Sequence, residues 1–80
     1  MLKIDRSFIN DITFDKDDET IVKTIISMGH NLGLKIIAEG VENKEQLALV
    51  EKYDCEWYQG YHFSKPLPAD EFEKLLKADS

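Results

Sequence analysis

The sequence predicts an α/β fold in which three short strands alternate with three helices, in the order β-α-β-α-β-α. Apolar residues recur at helical spacing over residues 21–32. Short apolar or aromatic runs flank that stretch at 34–38 and 56–63. Strands that alternate with helices are parallel and are joined by right-handed crossovers, so we expect one parallel sheet.

The first strand is predicted at residues 2–5, almost at the start of the chain, and residues 7–14 are predicted as a loop with a packed edge. Asp17 and Asp18 are expected to begin the first helix, because carboxylates favour the positive end of the helix dipole. Gly33 is expected to end it. The predicted buried stripe of this helix consists of Ile21, Val22, Ile25, Ile26, Gly29 and Leu32.

The second strand is predicted at 34–38 and is apolar enough to be covered on both faces. Glu39 follows at its carboxyl end, and Gly40 is expected to turn the chain. Asn43 is predicted to cap the second helix, with Gln46 three residues later completing a variant of the capping box. Leu47, Val50 and Tyr53 form the predicted buried face of that helix.

The third strand is predicted at 56–63 and is rich in aromatic residues. Pro66 and Pro68 are expected to exclude further sheet pairing and to start the last helix. The buried anchors of that helix are predicted to be Phe72, Leu75 and Leu76.

Three parallel strands leave two unpaired edges and an uncovered face. The pattern matches about a third of a barrel of roughly 250 residues. We therefore expect residues 1–80 to form a single partial domain, the last three β/α units of a TIM-like (β/α)8 barrel. We also expect its exposed sheet edges to favour a homo-oligomer.

Composition limits the function classes. The net charge is −6, and Arg6 is the single arginine, which argues against binding a nucleic-acid polymer or an anionic membrane surface. No apolar run approaches the ~18 residues of a membrane span, so we expect no direct membrane insertion. The single cysteine, Cys55, cannot form an internal disulfide. We expect a cytoplasmic setting, although a longer parent protein could be tethered to a membrane.

Three polar side chains are candidates for a site. If the strands are parallel neighbours, Lys3, Glu39 and Gln59 can converge near one end of the sheet, because side chains alternate along a strand. A lysine, a carboxylate and an amide suit a site for phosphate and a divalent cation. Simpler roles stay open: Lys3 as a solvated lysine, Gln59 as a partner for backbone groups beside Gly60, and Glu42 as a residue that holds the turn before the second helix.

The remaining polar and aromatic side chains favour structural roles. His30 lies near a helix end, where a capping or dipole role is a better explanation than metal ligation. His62 and Cys55 lack the spacing of any zinc motif. Packing, rather than base stacking, is expected for the aromatic residues Trp57, Tyr58 and Tyr61.

Three ordered motifs together carry a family resemblance. LKIDRSFI at 2–9, IAEGVE at 37–42 and YQGYHFSKPLP at 58–68 resemble the C-terminal third of an EAL domain. That family comprises bacterial cyclic di-GMP phosphodiesterases built on a modified (β/α)8 barrel. The resemblance implies metal-assisted hydrolysis with Mg2+ or Mn2+.

The resemblance also implies roles for four residues. Lys3 matches a lysine near the scissile phosphate and the attacking water. Glu39 matches a carboxylate that holds the metal site and helps to activate water. Glu42 matches a glutamate that anchors a mobile loop important for substrate and dimer contacts, and Gln59 matches a glutamine at the rim of the site.

The sequence lacks several motifs of the family pattern. The Glu-Ala-Leu signature and the asparagine, glutamate and paired aspartates of the earlier strands are not in these 80 residues. Those residues supply most of the metal ligands, so we expect this chain alone to bind no metal and to be inactive. The alternatives are a self-associating structural or interaction module and a domain that binds cyclic di-GMP without hydrolysing it.

Overall fold

The computed structural model of the chain describes residues 1–60 and 66–78. The described part contains four strands and four helices in the order β1-α1-α2-β2-α3-β3-β4-α4. Their bounds are β1 Leu2–Ile4, α1 Arg6–Asn10, α2 Lys16–Asn31, β2 Ile36–Val41, α3 Lys44–Lys52, β3 Trp57–Gly60, β4 Leu67–Pro68 and α4 Ala69–Ala78.

The strands form one sheet in the order β1-β2-β3-β4. The first three are parallel, which confirms the predicted α/β arrangement. β4, however, pairs antiparallel with β3, and Pro68 lies opposite Trp57. The prediction that Pro66 and Pro68 exclude sheet pairing was therefore wrong, because β4 is the last strand of the sheet and an edge strand tolerates a proline that cannot donate. Residues 61–63 of the predicted third strand lie outside the described residues.

The five-residue helix α1 replaces part of the loop predicted at 7–14. Asp5 caps it: one carboxylate oxygen accepts hydrogen bonds from the Ser7 backbone N–H at 3.0 Å and from the Ser7 hydroxyl at 2.6 Å. These bonds hold the pKa of the Asp5 carboxyl below its usual value. Ile9 and Ile12 are fully buried, so this segment packs into the core and does not merely border it.

Helix α2 begins at Lys16, one residue before the predicted start at Asp17. Asp15, rather than Asp17 or Asp18, is its N-cap, and the Asp15 carboxylate accepts from the backbone N–H groups of those two residues at 2.9 and 3.2 Å. The two aspartates predicted as the start instead occupy the first turn. There their charge still favours the positive end of the dipole.

We expect Asp15→Ala to lower the free energy of unfolding by about 1 kcal/mol, because two helix N–H groups lose their acceptor. Asp17→Ala is the matched control; it removes a first-turn charge but no cap, at a cost of a few tenths of a kcal/mol. Urea denaturation followed by circular dichroism measures both. Equal losses in the two variants would show that charge, not capping, starts the helix.

The buried face of α2 is narrower than its apolar stripe. Val22, Ile26 and Gly29 are buried, whereas Ile21 is 39% and Leu32 68% exposed, so the stripe prediction was wrong at those two positions. The predicted stop is confirmed, since Gly33 adopts a φ of +74° after the helix end. The helix closes there with a bond from the Leu34 N–H to the Gly29 carbonyl at 2.8 Å, as in a Schellman motif.

Strand β2 extends past the predicted end. Glu39, Gly40 and Val41 belong to it, and Gly40 does not turn the chain. Glu39 lies opposite Gln59 and Val41 lies opposite Gly60, so one extra residue interrupts the pairing as a β-bulge. Gly40 is the bulged residue, with a φ of +78°, and this left-handed conformation favours glycine.

Helices pack on one face of the sheet and form the core with it. The strand residues of the core are Ile4, Ile36, Ala38, Val41 and Tyr58, and the helix residues include Val22, Ile26, Leu47, Val50 and Phe72. Among the described residues, no helix is long and apolar enough to cross a membrane. By strand alternation, the opposite face of the sheet carries three of the predicted site residues, Lys3, Glu39 and Gln59.

Candidate functional site

Lys3 and Glu39 meet on the sheet face opposite the core helices. Lys3 pairs with Ile37, two residues before Glu39 in the neighbouring strand, and its Nζ lies 4.0 Å from the Glu39 Oε1. The two side chains are 63% and 30% exposed. A contact this long and this exposed contributes at most about 1 kcal/mol. The lysine ammonium can therefore turn toward an incoming anion at little cost.

Gln59 lies directly opposite Glu39 in the parallel pairing of β2 and β3. Neighbouring strands are roughly 4.8 Å apart, so the amide and the carboxylate share one small area of the sheet. The predicted convergence of Lys3, Glu39 and Gln59 is therefore what the geometry shows. The roles of the three residues remain predictions.

The fourth predicted residue, Glu42, lies just past the end of β2 and is exposed. Its backbone N–H donates to the Gln46 side-chain Oε1 at 2.7 Å. Asn43 caps α3 as predicted, and its Oδ1 accepts from the Gln46 N–H at 2.8 Å. The turn is thus held through a hydrogen bond of the Glu42 main chain.

Helix α1 packs closely against Gly40, the residue that follows Glu39. A Cβ placed on Gly40 would lie 2.5 Å from the Arg6 Cβ and 3.3 Å from the Arg6 Cα. Because these are a backbone atom and the first side-chain atom, they cannot rotate away. Glycine at this position therefore sets how closely α1 packs against the strand that carries Glu39.

The described residues do not provide a complete metal site. Among them no group of three His, Cys, Asp or Glu side chains is close enough to hold a metal ion. Mg2+ requires near-octahedral oxygen ligation and gives up its water reluctantly. Glu39, with an ammonium and an amide beside it, offers one carboxylate to such an ion.

The histidine near the helix end contacts a glutamate side chain. His30 lies in the last turn of α2, and its Nε2 lies 2.6 Å from the Glu56 Oε1. The capping or dipole role expected of His30 stays a prediction. His62 and Tyr61 lie outside the described residues.

Cys55 and the aromatic residues of β3 are structural. The Cys55 thiol donates to the Trp57 carbonyl at 3.3 Å, and burial raises the pKa of that thiol to about 12, which makes it inert. Tyr58 is fully buried and packs against Phe72, with ring centroids 6.2 Å apart. Trp57 is half-buried beside the Lys35 ammonium, which lies 5.9 Å from its ring centroid.

Sequence reasoning assigned Gln46 only to a capping box and missed its wider contacts. Gln46 is the buried polar side chain of α3. A signal was present in the sequence, because Gln46 precedes Val50 by four residues and so occupies the apolar face of the helix.

Comparison with known proteins identifies related sequences. The family model for the EAL domain matches residues 1–66. The chain is 49% identical over 77 residues to the cyclic di-GMP phosphodiesterase NbdA of Pseudomonas aeruginosa. It is 48% identical over 75 residues to the signaling protein YkoW of Bacillus subtilis.

A solved structure shows the same fold. The PaMucR phosphodiesterase of Pseudomonas aeruginosa, in complex with c-di-GMP, superposes with a TM-score of 0.71 at 43% identity. The match covers 88% of this chain and 28% of that one. The alignment with NbdA covers 96% of this chain and 10% of NbdA, and the alignment with YkoW covers 94% of this chain and 9% of YkoW. The chain therefore spans about a tenth of the length of these two curated relatives.

Proposed function

This chain belongs to the EAL domain family, and from that premise we propose that residues 1–80 are the C-terminal portion of an EAL barrel whose complete form hydrolyses cyclic di-GMP. The observation that carries the proposal is the convergence of Lys3, Glu39 and Gln59 at the carboxyl end of parallel strands. In (β/α)8 barrels the active site lies at that end. NbdA is named a cyclic di-GMP phosphodiesterase, and PaMucR is a phosphodiesterase solved in complex with c-di-GMP. Both support cyclic di-GMP as the substrate class.

Each residue has a proposed role that its chemistry allows. Lys3 places a compact positive charge beside a phosphodiester oxygen. Glu39 contributes one carboxylate ligand to a divalent cation and can accept a proton from water. Gln59 hydrogen-bonds at the rim, and Glu42 anchors the segment beyond β2. A bound Mg2+ or Mn2+ lowers the pKa of water and neutralises phosphoryl charge.

We also propose that the 80 residues do not hydrolyse cyclic di-GMP alone and hold no metal alone, because one carboxylate is too few ligands for Mg2+. The missing ligands would come from the rest of the barrel. A cytoplasmic setting is part of the same proposal, supported by the unpaired, buried Cys55.

We expect no turnover of cyclic di-GMP by the purified chain with Mn2+, and no heat of binding in calorimetry without metal. Replacing the matching segment of PaMucR by this chain is expected to give an active enzyme. In that chimera Glu39→Gln is expected to lower kcat on the order of 100-fold or more. Glu45→Gln, the same chemical change at an exposed residue in the first turn of α3, is expected to leave kcat unchanged.

Three results contradict this proposal in different ways. Turnover by the 80 residues that is lost in Glu39→Ala would show that the chain is itself an enzyme. A folded but inactive chimera would show that the segment lacks a competent site. A chimera in which Glu39→Gln and Glu45→Gln behave alike would remove Glu39 from the site.

A second candidate function is self-association. It is favoured by large apolar side chains exposed on and beside α2 and β1, namely Met1, Ile21, Met28 and Leu32. A second copy could cover them and the open side of β1. Size-exclusion chromatography with light scattering tests this. A folded monomer at all concentrations would contradict it.

A further inference from the structure

Gln46 is buried on the face of α3 that also carries the buried residues Leu47 and Val50. It is 4% exposed, and it is the one buried polar or charged side chain among the residues that the structure describes. Burying an amide is costly unless its groups are hydrogen-bonded. The partners of Gln46 therefore indicate why glutamine occupies the position.

Both ends of the Gln46 amide have main-chain partners in different elements. The Oε1 accepts from the Glu42 N–H at 2.7 Å, and the Nε2 donates to the Ile9 carbonyl at 3.3 Å. An N–H group can only donate and a carbonyl can only accept, so these partners fix which end of the amide is which. The side chain joins the turn after β2 to the end of α1.

A capping box does not account for this arrangement. In a capping box the third helical residue returns to the N–H of the cap itself, but Gln46 reaches Glu42, one residue before the cap Asn43. Asn43 already caps α3 through the Gln46 N–H. The bond to Ile9, 37 residues away in sequence, adds nothing to the start of α3.

The bridge completes a clamp on the segment next to Glu39. Helix α1 touches that segment twice: Arg6 lies against Gly40, and the Ile9 carbonyl holds Glu42 through Gln46. Resting on the proposed function, we propose that Gln46 is a positioning residue that fixes the site carboxylate of Glu39 and the loop carboxylate of Glu42 relative to α1.

The test compares Gln46→Met with the unchanged chain of 80 residues. Methionine keeps the length and apolar packing of the side chain but removes both hydrogen bonds. We expect the Glu42 amide to exchange with solvent at least tenfold faster in nuclear magnetic resonance, and the carboxyl carbon signal of Glu39 to shift. The hydrogen bonds of Gln46 reach Glu42 and Ile9 and not α4, so amides of α4, such as that of Phe72, are expected to stay unchanged.

Gln46→Glu adds a readout that a purely structural role would not move. A neutral carboxylic acid can accept from Glu42 and donate to Ile9 as glutamine does, whereas a carboxylate cannot donate. Burial raises the pKa of a carboxyl, so the side chain is neutral at pH 5 and ionised at pH 8. The ionised side chain loses its bond to Ile9 and leaves its buried position for water, because an unpaired buried charge is costly. We therefore expect protection of the Glu42 amide to be restored at pH 5 and lost at pH 8. The unchanged chain should not show this dependence after correction for intrinsic exchange.

Two results would overturn the proposal. One is exchange at Glu42 in Gln46→Met that rises only in step with a core amide such as Val22, which would mean general loss of stability. The other is protection in Gln46→Glu that does not depend on pH; this variant also decides the matter if the methionine variant fails to fold. These exchange measurements use no substrate. Their outcome is therefore independent of whether the chimera hydrolyses cyclic di-GMP, and the two proposals can fail separately.

Discussion

Phe72→Ala is expected to destabilise the fold by about 3–5 kcal/mol, because it removes a fully buried ring from the core. The Phe72 ring lies on α4 and packs against Tyr58 of β3, so the truncation opens a cavity between a helix and the sheet. A domain of 80 residues has roughly 4–12 kcal/mol of stability at 0.05–0.15 kcal/mol per residue. The expected loss is therefore from about a quarter of this stability to all of it.

Phe14→Ala is the matched control for this prediction. It makes the same chemical change at a side chain that is 77% exposed, and we expect an effect within about 0.5 kcal/mol. Urea denaturation gives both values. Alkylation of Cys55 gives a second measure, since burial raises the pKa of the thiol to about 12 and the thiol reacts mainly when the chain unfolds. Equal stability of the two variants would show that α4 does not contribute to the core.

The sequence predicts the long elements of this fold because they repeat a pattern. The stripe from Val22 to Gly29 spans two helical turns, and the Asn43 cap lies at a fixed offset from the apolar face of α3. Helix α1, with five residues, and β4, with two, are too short for any period to appear, since a periodic signal needs a window of about 11 or more residues.

The candidate site follows from the sequence as far as strand geometry alone determines it. Alternation and parallel pairing place Lys3, Glu39 and Gln59 on one face, and their positions agree with this expectation. The contacts that hold these strands against α1 do not follow from strand geometry. The contact between Arg6 and Gly40 and the bridge from Gln46 to α1 join elements far apart in sequence, so no local pattern contains them.

The placement of charge explains how an acidic chain could serve a phosphate. The protein has a net charge of −6, yet Glu39 has an ammonium within 4.0 Å, on the sheet face where we propose that the ligand binds. The neighbouring carboxylate keeps Lys3 near the site without burying it. Local charge at the strand ends, and not the total charge, therefore decides what the site can accept.

Gly40→Ala is expected to destabilise the fold by about 2–5 kcal/mol and to displace Glu39. A φ of +78° costs an L-residue roughly 1–2 kcal/mol. The new methyl group would also meet the Arg6 Cβ at 2.5 Å, and overpacking of this kind costs about 1–3 kcal/mol more. Either α1 moves away from β2 or the bulge rearranges, and both change where the Glu39 carboxylate lies.

Gly33→Ala separates the two contributions. Gly33 has a similar φ of +74°, but a Cβ there would have no neighbour within 4 Å. We expect this variant to lose only the conformational part, about 1–2 kcal/mol, with no shift in the magnetic resonance signals of Glu39 or Lys3. Denaturant midpoints and those signals, measured for both variants, decide the question. Equal losses of stability in Gly40→Ala and Gly33→Ala would mean that α1 moves away from β2 at no cost. The close contact at Gly40 would then not position the site.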